Sequence, residues 1–315
     1  MAKNNNDTPL MITILGPTAT GKTQLAAMVA HQLDGEVISA DSRQVYKGMN
    51  IGTGKDYDDY LVNGKHVPYH LVDIAGPGYE YNVFEFQRGF LKAFDNIVAL
   101  HKLPVLCGGT GLYLEAALSG KPLTEVPVDK LLRVQLGLMS SEELTKLLKS
   151  LRKTHNSTDL TDRKRTTRAI EIAMYENDNP EISLPFPAIN HLIFGIHFER
   201  DIIRQRITER LKKRLDAGMA DEVKTLLASG LKPEQLTFYG LEYRYLTDFV
   251  TGKIPFDEMF QLLNTAIHQF AKRQMTWYRR MEKRGFAINW IDGNLTEVEK
   301  LAAVVSQVEA ARKLR

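Results

Sequence analysis

The sequence is short of cysteine, of long apolar runs and of low-complexity stretches. Its single cysteine, Cys107, excludes an internal disulfide and a zinc site built from several thiolates. No run approaches the roughly 18 consecutive apolar residues of a membrane helix, and the first residues lack the apolar core of a signal peptide. We therefore expect a cytoplasmic protein with no membrane partner. The 315 residues, 43% hydrophobic and 25% charged, have a globular composition that excludes disordered, collagen-like and coiled-coil classes.

The net charge of +3 is small, but it is unevenly distributed along the chain. Residues 1–150 carry 14 Lys and Arg against 16 Asp and Glu, whereas the remaining residues carry 27 against 22. The basic excess is clustered near residues 163–168, 200–214 and 272–284. Charge runs are usually solvated helix faces, but three separate clusters also fit a polyanionic partner. Both interpretations stay open on composition alone.

The first third of the chain alternates short apolar runs with amphipathic helical patterns. Such alternation predicts βαβ units and a mostly parallel sheet with flanking helices, an α/β fold. Asn82 with Glu85 three residues later predicts a capping box at one helix start. The expected strands are Leu10 to Leu15, Val37 to Ala40, His70 to Ile74 and Val105 to Cys107, and the expected helices run from Lys22 to Leu33 and from Asn82 to Leu100.

After about residue 115 the pattern becomes helical, with a cap at Ser140 or Ser141 and a further helix from about Asp162 to Tyr175. A proline-rich stretch, 179–187, predicts an extended linker back to a strand at His191 to Ile196. Helices then continue to about residue 284, and 286–291 predicts an edge strand. We therefore expect a catalytic core made of 1–115 and 190–315, with a small all-helical insertion domain at 116–189.

Residues 16–23, GPTATGKT, fit the phosphate-binding pattern G-x-x-x-x-G-K-[ST] between a predicted strand and a predicted helix. In such a P-loop the backbone N–H groups turn toward phosphate, the lysine reaches terminal oxygens and the last hydroxyl can ligate Mg²⁺. We expect a diphosphate or triphosphate to bind here, with Thr23 as the metal ligand. The predicted phosphate-binding residues are Gly16, Pro17, Thr18, Ala19, Thr20, Gly21, Lys22 and Thr23.

The chain lacks the Walker-B carboxylate of a nucleotide hydrolase. The strand at 105–107 ends in Gly108-Gly109-Thr110, and Asp73 is the only imitation of that carboxylate. Asp41, in contrast, follows the second strand and is expected to point into the crevice where parallel sheets bind ligands. A lone carboxylate at this place is a candidate general base.

With these residues assembled, the sequence resembles the tRNA dimethylallyltransferases, the isopentenyltransferase family that modifies the adenosine next to the anticodon. The similarity runs from about Leu10 to Arg284 and rests on four blocks. The phosphate loop alone is shared with many kinases, but two of the other blocks are specific in order and spacing. The four blocks are residues 16–23, residues 41–53 (DSRQVYKGMNIGT), residues 108–113 (GGTGLY) and residues 271–277 (AKRQMTW).

The resemblance implies that adenine N6 attacks the first carbon of dimethylallyl diphosphate, so that a C–O bond breaks and diphosphate leaves. The phosphate loop then holds a prenyl donor, which explains the missing Walker-B residue. Lys22, Mg²⁺ at Thr23 and an arginine neutralise the leaving charge. That arginine matches Arg210, with Arg206 one helical turn before it. The partners implied are the tRNA anticodon stem-loop and dimethylallyl diphosphate, and a monomer is expected.

The family pattern also implies roles for the RNA side. Asp41 matches the general base, and Thr110 matches the threonine beside the target nucleotide. The insertion block 164–168 departs from the family's Gln-Arg-Leu-x-Arg at Lys164 and Thr166, and Gly240-Leu241-Glu242 departs from another family pattern. Trp277 is expected in the core. The residues implied to bind tRNA are Asp41, Ser42, Arg43, Gln44, Thr110, Arg133, Lys164, Arg165, Thr166, Thr167, Arg168, Lys272, Arg273 and Gln274.

Two other functions remain open from the sequence. An adenylate isopentenyltransferase shares the phosphate loop, the aspartate and the donor, but it acts on free AMP, ADP or ATP. The insertion with Arg165 and Arg168 favours tRNA, because a free nucleotide needs no such basic surface. A P-loop small-molecule kinase or nucleic-acid-dependent NTPase is disfavoured by the missing Walker-B carboxylate.

Overall fold

The computed structural model describes residues 8–151, 162–179 and 186–313. The chain forms two compact units. The first, here called the core unit, consists of Met1–Gly120 and Ala188–Arg315, and the second, the insertion unit, consists of Lys121–Pro187. In the described part of the chain, no helix is both long and apolar enough to cross a membrane.

Six parallel strands form the central sheet of the core unit, in the order β5-β2-β6-β1-β7-β8. Two short strands, β3 and β4, pair separately as an antiparallel hairpin. This arrangement confirms the predicted α/β fold with a mostly parallel sheet and an edge strand near residue 290. The strands are β1 (Leu10–Leu15), β2 (Gly35–Ser39), β3 (Leu61–Val62), β4 (Lys65–His66), β5 (Tyr69–His70), β6 (Leu103–Gly108), β7 (Asn190–His197) and β8 (Ile288–Asp292).

Helices flank the sheet in the core unit, where Asn82 and Glu85 form the predicted capping box at the start of α2. Two single-turn 3₁₀ helices, Tyr57–Tyr60 and Thr237–Tyr239, complete the described elements. The α-helices are α1 (Lys22–Gln32), α2 (Val83–Ala99), α3 (Gly111–Leu118), α4 (Lys130–Leu138), α5 (Ser141–Leu151), α6 (Arg163–Asp178), α7 (Arg200–Asp216), α8 (Met219–Ala228), α9 (Pro233–Leu236), α10 (Leu241–Val250), α11 (Phe256–Lys283) and α12 (Glu297–Lys313).

Three neighbouring strands, β2, β6 and β1, end at the same edge of the sheet. Ser39 pairs with Cys107, and Leu15 pairs with Gly108, so the loops that follow these strands start side by side. The neighbouring backbone segments are too close there for a side chain at Gly108, because a Cβ atom on it would lie 2.2 Å from the carbonyl oxygen of Ala40. The fold thus brings the phosphate loop, the loop after β2 and the loop after β6 together.

The prediction of a strand over His70–Ile74 is wrong beyond its first residue. Leu71 and Asp73 adopt left-handed φ angles of 63° and 56°. The N–H of Asp73 donates to the carbonyl oxygen of Gln44 at 3.1 Å, and its carboxylate accepts from Lys55. Because these contacts hold the segment against the loop after β2, it leaves the sheet.

The insertion unit contains α4, α5 and α6, packed around a small apolar core of Leu136, Leu144, Leu148 and Ile170. The predicted cap at Ser140 is present, since its hydroxyl accepts from the N–H of Glu143 at 3.2 Å. The predicted helix after residue 162 is also present, as α6. Most of the predicted linker at 179–187 lies outside the described residues.

Candidate active site

The phosphate loop connects β1 to α1, the context that the sequence pattern requires. Gly21 has a left-handed φ of 80°, which glycine adopts without strain, and it immediately precedes the first residue of α1. The hydroxyl of Thr20 donates to the carbonyl oxygen of Pro17 at 2.9 Å and closes the loop on itself. The free N–H groups and the dipole of the helix N-terminus therefore favour an anion here.

Lys22 lies among charged groups of both signs. Its burial lowers its pKa, and the positive charges of Arg210 and Arg214 act in the same direction, whereas the charge of Asp41 opposes them. A diphosphate bound at the loop would compensate this buried positive charge. The arrangement fits an anionic ligand better than a neutral one.

The basic residues of α7 reach the phosphate loop. Arg210 donates to the hydroxyl of Thr18 at 3.3 Å, and Arg206 donates through Nε to the carbonyl oxygen of Ala19 at 2.9 Å. Arg214, one turn after Arg210, shares the carboxylate of Asp56 with it, at 3.2 and 2.7 Å respectively. The sequence places Arg214 only in the basic cluster at 200–214 and gives Asp56 no role. The four-residue spacing from Arg210 to Arg214 puts both arginines on one helix face.

Asp56 keeps its negative charge beside these arginines. Burial opposes the charged form, but Arg214 and Arg210 together outweigh burial and lower the pKa of Asp56. Because one carboxylate faces two guanidinium groups, a net positive charge remains beside the loop. Asp56 therefore orients the two arginines without neutralising them.

A small cleft opens next to the phosphate loop. Its polar wall contains Arg210, Arg214 and Glu242, so the unusual Gly240-Leu241-Glu242 stretch contributes a carboxyl group to it. Burial raises the pKa of Glu242. The remaining wall is largely apolar, so the cleft has one charged side and one apolar side. Its other lining residues are Thr18, Ala19, Ile207, Leu211, Met219 and Ile267.

Gln274 and Tyr278 of α11 hold the phosphate loop to the loop after β6. The side-chain oxygen of Gln274 accepts from the N–H of Thr18 at 3.0 Å, and its amide nitrogen donates to the carbonyl oxygen of Gly109 at 2.8 Å. The hydroxyl of Tyr278 donates to the carbonyl oxygen of Gly16 at 3.0 Å. The structure therefore corrects the prediction for Gln274, which is buried and braces the loops instead of facing RNA.

Asp41 and Thr110 stand on the neighbouring loops after β2 and β6. Asp41 accepts from the N–H of Arg43 at 2.9 Å, and the hydroxyl of Thr110 accepts from the N–H of Ser42 at 3.0 Å. The Thr110 N–H donates to the carbonyl oxygen of Ala40 at 3.2 Å. These bonds tie the two loops into one rigid edge on which both side chains are half-buried.

Arg43 and Gln44, which follow Ser42, are held by hydrogen bonds to other parts of the chain. Arg43 donates to the carbonyl oxygen of Phe238 at 2.6 Å, and its guanidinium lies 5.6 Å from the centre of that ring. The side-chain oxygen of Gln44 accepts from the hydroxyl of Ser39 at 3.1 Å, and its amide nitrogen donates to the carbonyl oxygen of Gly54 at 3.1 Å. Gln44, which is half-buried, therefore braces the chain at the end of β2.

The nearest match to a Walker-B carboxylate, Asp73, is occupied by protein donors, since Lys55 and Tyr57 both bind it. No cluster of three or more His, Cys, Asp or Glu suited to a metal occurs within 8–151, 162–179 and 186–313. Cys107 is buried, and burial raises the pKa of its thiol to about 12. It is therefore a neutral packing residue at neutral pH.

In the insertion unit a buried carboxylate organises two arginines. Glu171, 2% exposed, accepts from Arg133 at 3.1 and 3.0 Å and also from Arg168. It further accepts from the N–H of Asp129 at 2.7 Å, while Arg168 donates to the carbonyl oxygen of Val126 at 2.7 Å. These hydrogen bonds outweigh burial and lower the pKa of Glu171. The sequence does not predict the role of Glu171, because no local pattern marks this residue as buried.

The other predicted RNA contacts of α6 differ in exposure. Lys164 and Arg165 are exposed and Thr167 is half-buried. Thr166 is only 3% exposed, and its hydroxyl donates to the carbonyl oxygen of Asp162 at 3.0 Å. Thr166 is thus a packing residue of the insertion unit, which corrects its predicted contact with RNA.

The remaining predicted contacts lie on α11. Lys272 and Arg273 are exposed there. Trp277 packs against Gly111, where a Cβ atom would lie 2.4 Å from the indole, and Arg280 lies 4.2 Å from the centre of its ring. The indole is half-buried between these two neighbours, so Trp277 is largely a packing residue, as expected.

Comparison with known proteins gives one consistent result. A family model described as IPP transferase matches residues 44–281, and a model described as isopentenyl transferase matches residues 10–68. The chain is 55% identical over 299 residues to tRNA dimethylallyltransferase 2 of Bacteroides fragilis, covering 95% of this chain and 98% of that protein.

Two solved structures share the fold over nearly the whole chain. The full-length tRNA isopentenylpyrophosphate transferase of Bacillus halodurans is 28% identical with a TM-score of 0.70, covering 98% of this chain and 97% of that one. The tRNA delta(2)-isopentenylpyrophosphate transferase of Staphylococcus epidermidis is 27% identical with a TM-score of 0.69, covering 96% and 100%.

Proposed function

Since the chain belongs to the IPP transferase family, we propose that it transfers a dimethylallyl group from dimethylallyl diphosphate to tRNA. The acceptor is N6 of the adenosine that is 3′-adjacent to the anticodon, and the products are N6-(dimethylallyl)adenosine and diphosphate. One observation carries the proposal: Asp41 and Thr110 lie on loops that begin beside the phosphate loop at one edge of the sheet. The proposed proton acceptor, Asp41, and the anion-binding phosphate loop thus lie at the same edge of the sheet.

The donor is held by the phosphate loop and the neighbouring cleft. The diphosphate binds to backbone N–H groups at the N-terminus of α1 and to Lys22, and Arg210 contacts it from α7. The largely apolar wall of the cleft, which includes Ile207 and Leu211, suits a five-carbon prenyl tail. Positive charge fixed around the leaving group lowers the barrier, because negative charge grows on the diphosphate as the C–O bond breaks.

Mg²⁺ fits this site as an ion whose oxygen ligands come mostly from the donor diphosphate and from water. Thr23, at the first turn of α1, offers one hydroxyl oxygen, and Mg²⁺ commonly keeps several waters and takes further oxygens from substrate phosphates. When bound, the ion supplies additional positive charge at the leaving diphosphate. Thr23 is the residue of this chain that would hold it.

The chemical step then needs one proton acceptor. Adenine N6 attacks the first carbon of the prenyl group, a C–N bond forms, and the C–O bond to diphosphate breaks. The N6 proton passes to the free oxygen of Asp41, whose other oxygen is fixed by the N–H of Arg43. Such assistance typically contributes about 10²- to 10⁴-fold. All of these groups come from a single chain, so we propose a monomer as the working unit.

Each of the two units has exposed basic residues that we propose to bind RNA, and in the core unit these are Lys272 and Arg273 of α11. The insertion unit has its own. Arg133 and Arg168, fixed by Glu171, remain partly exposed, and Lys164 and Arg165 add charge without a buried partner. Contacts of this kind go mainly to phosphate and set the position of the RNA. The target adenosine has to leave the base stack before its N6 reaches Asp41.

The test is mass spectrometry of nucleosides from a tRNA anticodon stem-loop after incubation with dimethylallyl diphosphate and the protein. We expect N6-(dimethylallyl)adenosine at the position next to the anticodon. The matched reaction with AMP distinguishes the adenylate isopentenyltransferases, and faster prenylation of AMP than of the stem-loop would contradict the proposal. Transfer of the γ-phosphate of ATP would instead indicate a kinase.

A further inference from the structure

An aromatic side chain is left partly exposed next to the proposed base. Phe238, in the 3₁₀ helix Thr237–Tyr239, is 37% exposed. The edge-on contact with Tyr239, at 5.3 Å between ring centres and 87° between planes, covers only part of the ring. Part of this apolar ring therefore faces water, and no described residue covers that part.

Arg43 connects this ring to Asp41. The N–H of Arg43 donates to the Asp41 carboxylate at 2.9 Å, and the other end of the same residue donates to the carbonyl oxygen of Phe238 at 2.6 Å. The guanidinium group lies 5.6 Å from the centre of the Phe238 ring. One arginine therefore spans the distance from the proposed catalytic carboxylate to the exposed aromatic ring.

A glycine lies next to Arg43. Gly240 has a φ of 129°, where other residues are strained, and a Cβ atom on it would lie in ordinary van der Waals contact, 3.5 Å from Nε of Arg43. Arg43 itself is half-buried, whereas Phe238 belongs to the exposed large apolar side chains.

We propose that Arg43 and Phe238 form a stacking site for an unpaired RNA base that neighbours the target adenosine. This inference rests on the proposed function and adds to it a binding site for a second nucleobase. RNA loops are recognised by stacking splayed bases on aromatic rings and arginine planes. Moving the target adenosine out of the stack leaves its neighbour without a stacking partner, and Phe238 supplies a replacement.

The test measures binding of an anticodon stem-loop by Phe238→Ala, Phe238→Tyr and Phe238→Leu. We expect Phe238→Ala to raise Kd by about tenfold, within the usual range for loss of one stacked base. Phe238→Tyr should stay within about twofold of the wild type, because it keeps the flat ring. Phe238→Leu, which keeps apolar volume without a flat ring, should resemble the alanine variant.

Abasic substitutions identify the base that stacks. With the correct neighbour of the target adenosine removed, the wild type and Phe238→Ala should bind the RNA equally well. Phe256→Ala is the matched control, since Phe256 is 46% exposed at the start of α11 and packs against Phe249. Its Kd should stay within about twofold of the wild type, as is usual for an exposed surface change.

Three results would overturn the stacking site. They are an unchanged Kd for Phe238→Ala, full rescue by Phe238→Leu, or a penalty that persists with an abasic residue on either side of the target. A wild type that binds the stem-loop without prenylating it is a failure of the proposed function instead. The two failures are distinct because the stacking site is measured by affinity and the proposed function by product.

Discussion

The side-chain oxygen of Gln274 accepts a hydrogen bond at 3.0 Å from the N–H of Thr18, a residue 256 positions away in the sequence. The same amide group donates to Gly109 at 2.8 Å. A single buried side chain on α11 thus fixes the phosphate loop to the loop that carries Thr110. Together with Tyr278, which also contacts both loops, it couples the diphosphate site to the acceptor side through contacts that neither loop contains by itself.

Replacing Gln274 should weaken donor binding more than RNA binding. In Gln274→Ala the Thr18 N–H and the Gly109 carbonyl lose their partner, and leaving such groups unsatisfied in a buried place costs about 1–3 kcal/mol. We expect KM for dimethylallyl diphosphate to rise by about tenfold or more, with a lower Tm. Arg273→Ala, at the exposed neighbouring position, should leave that KM unchanged. An unaltered donor KM in Gln274→Ala would contradict the bracing role.

Asp41→Asn should slow chemistry and spare binding. Asparagine keeps an oxygen that can accept from the Arg43 N–H, but it cannot accept the N6 proton as a carboxylate does. Single-turnover rates should fall by about 10² or more, while the Kd for tRNA stays within about threefold. The reverse pattern, normal single-turnover chemistry with weakened tRNA binding, would refute the base role.

Glu171→Gln should impair the insertion unit specifically. Glutamine retains one acceptor but loses the charge that fixes Arg133 and Arg168. We expect KM for tRNA to rise by about tenfold while kcat at saturating tRNA and KM for the donor stay near wild-type values. Glu176→Gln, an exposed position on the same helix, is the control and should change neither. A drop in kcat without a change in KM for tRNA would argue against this role.

Arg165→Ala should change the salt dependence of tRNA binding. The side chain is 61% exposed, and its nearest carboxylate oxygen, on Asp162, is 3.9 Å away, so it remains available to a phosphate. Loss of one phosphate contact should reduce the slope of log affinity against log salt by roughly one unit. Lys149→Ala, an exposed change on α5, should leave the slope as it is. An unchanged slope for Arg165→Ala would assign this arginine to structure.

The raised pKa of Asp59 predicts that stability depends on pH. Burial, and next the charge of Asp56, raise the pKa of Asp59 to about 6. A raised carboxyl pKa means that its contribution to stability is complete below the unfolded value of about 4 and is lost as the pH rises through about 6. Asp59→Asn mimics the protonated form, so it should raise Tm at pH 8 and not at pH 4. The exposed neighbour change Asp58→Asn is the control. Equal Tm shifts at both pH values would contradict this assignment.

Local patterns predicted much of the fold. The phosphate loop, the capping box at Asn82 and the strands β1 and β6 depend on residues close in sequence, and all are present. The strand expected at His70–Ile74 failed because Asp73 is bound by Lys55 and by the loop after β2. A period-two apolar pattern carries no information about such competing partners.

The candidate site was predictable only in part. Asp41, Thr110 and Lys22 follow strands whose parallel order places their ends together, so local sequence was sufficient for them. Thr166 and Gln274 are polar residues in a basic or polar context, and their sequence gives no sign that they are buried. The partners of Gln274 come from distant segments, whereas the hydroxyl of Thr166 bonds back one turn in its own helix.

By itself, the sequence determined the α/β class, the phosphate loop, the candidate base and the family resemblance, because these depend on periodicity, turn chemistry and ordered motifs within short segments. Only the tertiary structure decided that Glu171 holds Arg133, that Gln274 fixes the phosphate loop and that Arg43 links Asp41 to Phe238. Those contacts join residues 38, 256 and 195 positions apart. Burial and pairing of polar groups at such separations follow from how the elements pack, and no local pattern encodes that packing.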